Sequence, residues 1–519
     1  MISYQNAKDY VKNWIRKYQG YMLFFLIFSF LLNFSLMAYE LVNSYDGLWW
    51  HSIFYAKEWE RSIGRWFWPY IDHARFGICS VALNSCITFV LEILAICMLI
   101  EIFEIKRKFQ RILFGVLFLS SPLLCEVLSY AYMSPTFGSA FLTSVIAFAI
   151  IVKQKNWILS IVGGSIYITI SMGCYQAYLG VTCILTLLYF MQQVLKQDSF
   201  KTLGGTVVKL GGSVLIGGLL YKLCVELTNK YYEVELTDYK GVNNVSIGAI
   251  LKNLPVSIKR TYTNFYAYFF KDSIIVRNYG AKYILAVAFV VTFILILILL
   301  WRLKLPVVYT AMFLVAIVLI PLFCNVTLLL AYETGTILLM TAAMGLLLSG
   351  LIAVFGPYHQ ELKIYNGLTL ILLVCVWLNI CATTNDQVAL HDGKNATTTL
   401  TRAIVQELIS DDYLHEDTVI AFAGRPSENP YFRKTEAFEK ANEYARFGQW
   451  WGTDAGNNRR SWYYGMLRHY LGLELNWCDD DDYEEIRSSG ELESMPNFPE
   501  EGSIKVVNDI VVVKVSDVY

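Results

Sequence analysis

This chain is short of charge. Asp, Glu, Lys and Arg supply only 16% of its residues against 56% hydrophobic and 15% aromatic, too little to clothe the surface of a soluble enzyme of this length. That deficit excludes an ordinary water-soluble fold and leaves a polytopic membrane protein. Acid and base nearly cancel at a net charge of −1, so the sequence shows no excess of one sign that would bind nucleic acid or hold a peripheral protein on a polybasic patch. Polar segments are almost free of cysteine. Ten of the eleven cysteines (Cys79, Cys86, Cys97, Cys125, Cys174, Cys183, Cys224, Cys324, Cys375 and Cys381) lie in or beside apolar runs, where they read as small hydrophobes; only Cys478 lies in the polar tail. No disulfide framework is expected, and no Cys or His spacing matches a zinc site. A convincing small-residue cleavage site is missing behind the first apolar run, Tyr21 to Ala38, which is too long for a signal-peptide core and reads as a retained anchor.

What the chain has in quantity is apolar sequence in span-sized pieces. A helix needs about 20 apolar residues to cross a bilayer core, and eleven stretches qualify as candidates: 21–39, 76–100, 112–130, 137–152, 157–173, 177–195, 210–228, 282–301, 305–325, 335–355 and 365–382. The odd number puts the termini on opposite sides. Lys8, Lys12, Arg16 and Lys17 precede the first span; Lys106, Arg107, Lys108 and Arg111 follow the second. Lys153, Lys155, Lys196, Lys201, Lys209, Arg302 and Lys304 fall in later gaps of the same parity. The positive-inside rule then sets the N-terminus in the cytoplasm of a multi-pass cell-membrane protein. The loops 40–75 and 229–281 and the tail from Ala382 onward all face outward. The expected fold is an all-α polytopic membrane domain, residues 1–382, followed by a small extracytoplasmic α/β domain, residues 383–519. In that tail the pattern predicts a helix at Thr398–Ile409, a strand at Thr418–Ala423, and a hairpin of Ser503–Val507 and Ile510–Val515 turning at Asn508 and Asp509.

The first outward loop holds most of the polar chemistry. Asp46, Glu58, Glu60, Arg61, Arg65, Asp72 and Arg75 crowd among Tyr45, Trp49, Trp50, His51, Trp59, Trp66 and Trp68. A carboxylate and guanidiniums at a membrane surface suit chemistry on an anionic lipid, because Arg grips phosphate bidentately and Asp takes a proton. Asp46 either caps a helix beginning at Gly47 or acts as that base. Arg61 and Arg65 stand four apart, so on a helix they share a face and clasp one anion, and Gly64 lets the backbone approach a ligand.

In the second outward loop Ile247, Ile250, Leu251, Leu254 and Ile258 repeat at helical spacing, with Lys259 and Arg260 on the polar side. The pattern reads as an interfacial helix broken at Pro255, either a structural belt or a phosphate holder. Glu92 and Glu126 lie inside spans. Glu126, near the outer end of its span, either orients Arg65, binds the acceptor, or fixes helix packing; Glu92 reads as structural. The acidic run Asp479 to Asp482 lacks the alternation and glycine of a calcium loop and reads as a solvated turn. Trp450, Trp451, Trp462, Tyr463 and Tyr464 read either as sugar-stacking faces or as core.

Four stretches carry a family resemblance: Tyr45-Asp46-Gly47-Leu48, Gly64-Arg65-Trp66, Tyr175-Gln176-Ala177-Tyr178, and Gly502-Ser503-Ile504 with Ile510 to Val515. The sequence resembles the Gtr-type membrane glucosyltransferases, which decorate bacterial O-antigens and wall glycopolymers. The resemblance implies a GT-C architecture in which an Asp on the first external loop faces a polyprenyl-phosphate hexose in the outer leaflet. Relatives carry a doubled acid where this chain has Asp46-Gly47, so either Asp46 suffices or Glu58, Glu60 or Asp72 assists. Asp46 is then the expected base and Arg65, Arg61, Lys259 and Arg260 the phosphate ligands. Glu58, Asp72, Glu126, Tyr175 and Gln176 are the supporting or acceptor residues. No metal or cofactor is called for, since the arginines take the cation's part. The partners implied are the lipid-linked donor, a glycopolymer acceptor (O-antigen, wall polysaccharide or teichoic acid), the bilayer, a polyprenyl-phosphate sugar synthase and a flippase. The competing reading is a flippase of lipid-linked glycans, which needs no base.

Overall fold

Apolar runs that meet no water must close their backbone hydrogen bonds internally, and this chain does so as helices. The computed structural model describes residues 4–43, 46–48, 53–237, 247–271, 280–331, 335–358, 360, 363–432, 434–444 and 459–518. Tyr45, Trp49, Trp50, His51, Trp450 and Trp451 lie outside them, as does the side chain of Trp462.

Among the described residues nine helices are long and apolar enough to cross a membrane: Lys8–Leu32, Val81–Ile102, Ser134–Lys153, Trp157–Cys174, Gln176–Leu195, Phe200–Tyr231, Ala281–Leu303, Val307–Cys324 and Ile364–Ser410. The expectation of eleven is corrected on two counts. The third stretch is two helices, Lys108–Leu119 and Pro122–Ser129, bent by 46°, because Pro122 removes a ladder donor and Ser121 accepts the Leu123 N–H as a new N-cap. The stretch 335–355 yields only the 14-residue helix Ala342–Phe355. Pro255, expected to break its helix, is instead carried inside the continuous helix Ile247–Phe270.

The helix Ile364–Ser410 runs 47 residues without interruption, from the last apolar stretch into the tail. One turn of its polar face serves both broken helices. Gln387 accepts from the Leu36 N–H at 3.1 Å and donates to Leu32 O at 2.8 Å, where the first helix stops, and Thr383 donates to Ser120 O at 3.4 Å, where the third bends. Orphaned backbone groups inside apolar surroundings are thus satisfied by side chains.

Contacts sort the connections onto two ends. At one end Lys17 pairs with Glu101 (2.5 Å), Lys196 with Glu104 (3.4 Å), and Lys209 donates to Gln154 O. At the other end the Thr237 N–H donates to Ser62 O, Gln176 to Ile63 O, Lys394 to Tyr39 O and Tyr470 to Glu40 O. The three long polar segments therefore share one end of the bundle.

The tail is built on a four-stranded sheet ordered β2-β1-β4-β3. β1 is Val419–Ala423, β2 Asn476–Trp477, β3 Ile504–Val507 and β4 Ile510–Lys514. The expected hairpin is β3 with β4, antiparallel, turning through Asn508 and Asp509, both at positive φ as a two-residue turn of this twist demands. The acidic run opens the helix Asp480–Ser488: Asp479 caps it, accepting from the Asp482 N–H at 2.8 Å, and the acids complement the helix dipole.

Candidate functional site

Asp46 begins a three-residue 3-10 turn, Asp46–Leu48. The capping duty that the sequence offered to Asp46 falls to Asn43. Its backbone N–H and its Nδ2 both donate to Ser129 O, at 3.1 and 3.3 Å, and its Oδ1 accepts from the Gly47 N–H at 3.0 Å. These bonds weld the turn to the end of the Pro122–Ser129 helix. Gly47 sits in close quarters: a Cβ would stand 3.0 Å from Ser129 O, Asn43 Nδ2 and Val42 Cβ, so a side chain there would require those neighbours to give way slightly.

Around the turn lie more ionisable groups. Tyr130, one residue past that helix, is within electrostatic reach of Asp46, Glu126, Tyr132 and Tyr175. Glu126 is buried, and its Oε2 has no hydrogen-bond partner among the described residues. Its charged neighbour is Asp386, on the Ile364–Ser410 helix.

Arg65 arrives from the far side of the same loop. The helix Glu58–Ser62 stops before it, because Gly64 takes φ +81, a left-handed turn that L side chains resist. The shared helix face expected of Arg61 and Arg65 is therefore absent. Arg61 instead stacks 3.8 Å from the Tyr232 ring centroid, while Arg65 stands 4.8 Å from that of Tyr175 and 5.5 Å from that of Trp68. Each buries an Nε that has no acceptor among the described residues. Glu60 faces both guanidiniums while accepting the Lys57 N–H at 2.7 Å, and burial pushes its carboxyl upward against those attractions.

The Gly64 turn is clamped from two elements. Gln176 donates from Nε2 to Ile63 O at 2.7 Å and to Tyr221 Oη at 3.0 Å, and Tyr221 donates to Gly64 O at 3.1 Å. Trp66 packs against Gly173, where a Cβ would meet its Nε1 at 2.5 Å and its Cε2 at 2.7 Å. Tyr175, beneath Arg65, closes edge-on against Phe137. Gln176 is thus a brace for the arginine loop, and Tyr175 its aromatic floor.

The other expected residues are placed differently. Asp72 is fully buried and held through both oxygens: Oδ2 accepts from the Ala56 N–H at 2.7 Å, while Oδ1 takes Trp68 Nε1 at 3.1 Å and Arg75 Nη2 at 2.8 Å. Burial pushes its carboxyl up to about 6 despite Arg75. It organises the loop from a position closed to solvent. Glu58 is exposed on the first turn of its short helix. Lys259 and Arg260 sit on the Ile247–Phe270 helix, which packs against the helices Val307–Cys324 and Val326–Leu330. Asn43, Tyr130, Tyr221 and Asp386 were not singled out from the sequence. Only Asn43, four residues before Gly47, left a local signal there, as an Asx residue at capping distance.

Residues 50–355 match the profile of the family Glucosyl transferase GtrII. The chain belongs to that family. No curated protein and no solved structure matches it. The matched stretch takes in Gly64-Arg65-Trp66 and Tyr175-Gln176, begins just after Asp46, and ends before the tail.

Proposed function

We propose that this GtrII glucosyltransferase moves a hexose, glucose by family, from a polyprenyl-phosphate carrier to a hydroxyl of a cell-surface glycopolymer on the outer face of the membrane, within a GT-C architecture. One observation carries the reading: Asp46 and Arg65 come from opposite ends of the loop, yet Asp46 lies within electrostatic reach of Tyr130, Arg65 stands 4.8 Å from the Tyr175 ring centroid, and those two tyrosines are within electrostatic reach of each other. Asp46 takes the proton of the acceptor hydroxyl as its oxygen attacks C1. The C1–O bond to phosphate breaks with inversion, and the carrier leaves as a polyprenyl phosphate. The half-buried guanidinium of Arg65, with an Nε lacking an acceptor among the described residues, receives the charge that develops on the phosphate. Arg61 borders the same path. Glu126 lies on the Asp46 side, where a hydrogen-bond acceptor suits the incoming sugar.

The test is turnover of polyprenyl-phosphate glucose by purified protein that elutes as a folded, monodisperse species. Asp46→Asn should lower kcat by about 100 to 10,000-fold, the usual contribution of a placed base, and Arg65→Ala should weaken donor binding or turnover. Near-normal turnover by the Asn variant removes Asp46 from the base role. A flippase would keep its transport in that variant, since moving a lipid across needs no proton acceptor.

A further inference from the structure

The tail presses on the turn that carries Asp46. The helix Arg459–Met466 packs against Asp46–Leu48, and the contact is made by a glycine. A Cβ on Gly465 would overlap Leu48 O and stand 2.7 Å from Leu48 Cβ and 2.9 Å from Leu48 C. Leu48 is fully buried. The helix cannot back away, because Tyr463 on it stacks on Phe422 of β1, centroids 4.5 Å apart, and donates to Gly424 O at 3.0 Å. On its opposite side the turn meets Ser129 O through Gly47. Two glycines, one from each part of the chain, thus let backbone close on backbone around three residues. The strand of chain leading into the turn is held by the same tail: Tyr470 donates to Glu40 O at 3.2 Å and Lys394 to Tyr39 O at 2.6 Å.

We infer that Gly465 is a positioning residue for the transfer reaction, and that the tail domain fixes Asp46 against the acceptor hydroxyl rather than serving as a separate binding module. The inference rests on Asp46 as the base. A placed base is sensitive to position, and a displacement of about 1 Å costs roughly a hundredfold in rate. A side chain at 465 has to move Leu48, and Leu48 is two residues from Asp46.

The experiment compares Gly465→Ala, Asp46→Asn and the double variant in the full-length protein, with polyprenyl-phosphate glucose as the variable substrate. Gly465→Ala should lower kcat roughly 30 to 100-fold with donor KM within about twofold of wild type. In the Asp46→Asn background it should add nothing, because residues that act as a unit are not additive. Wild-type kcat in Gly465→Ala beside a disabled Asp46→Asn overturns the positioning role alone, as does a further multiplied loss in the double variant. Near-normal turnover in Asp46→Asn overturns the base and the brace together. Should Gly465→Ala fail to elute as a folded species, Tyr463→Phe keeps the stack on Phe422 and removes the bond to Gly424; it should show a smaller loss confined to kcat, and an unchanged kcat refutes the inference.

Discussion

A glycine beside Asp46 keeps its turn tight against a neighbouring helix. An acid at position 47, next to Asp46, would need space that Ser129 O, Asn43 and Val42 hold tightly, each 3.0 Å from a Cβ placed there. Gly47→Asp, which rebuilds the doublet, should therefore lower glucosyl transfer at least tenfold rather than raise it, since an acid forced against a carbonyl both clashes and buries charge. A rate at or above wild type in the same turnover assay would show that the turn yields. Asp46 and Arg65 were legible in the sequence as charges in an unusual loop. The reason for Gly47 was not, because Ser129 lies on another helix and only the fold brings them together.

At the scale of elements, the loop is organised by a buried carboxylate. Asp72 ties the helix Trp68–Ala74 to the Ala56 backbone and to Arg75. Its carboxyl lies near 6, above the ordinary 3.8, because burial outweighs its donors. The folded state thus holds the proton more tightly than the unfolded chain. The stability linked to that proton is complete below about pH 3.8 and is lost as pH rises through about 6. Asp72→Asn should flatten the thermal stability of the detergent-solubilised protein between those limits while lowering it throughout, since Arg75 loses its buried partner. An unchanged pH slope would count against this account. Sequence pattern located the helices because apolar length is a local property. It missed the bend at Ser121 and overcalled one at Pro255 because neighbours decide whether a freed carbonyl is satisfied: Thr383 answers the first break from far along the chain, and helix packing keeps Ile247–Phe270 continuous through the proline.

For the whole molecule, the described parts of loop 40–75, Thr237 and the tail gather at one end, and the outward facing of that end is the expectation from lysine and arginine parity. The sidedness proposed from that parity is tested with membrane-impermeant maleimide. Glu484→Cys should label in intact cells, and Lys201→Cys only after permeabilisation; the reverse pattern inverts the topology. The strands β1, β3 and β4 were readable from alternation and a two-residue turn. The docking of the tail on the Asp46 turn was not, because Gly465 and Leu48 are joined by shape alone and leave no periodic trace.

The unbroken helix Ile364–Ser410 sets a length scale for the enzyme. Its 47 residues correspond to about 70 Å at 1.5 Å per residue, more than twice the roughly 30 Å of a bilayer's hydrocarbon. A rod of that kind works as a ruler: one continuous helix carries the last apolar span and the start of the tail together, so the distance between the two is set by helical rise.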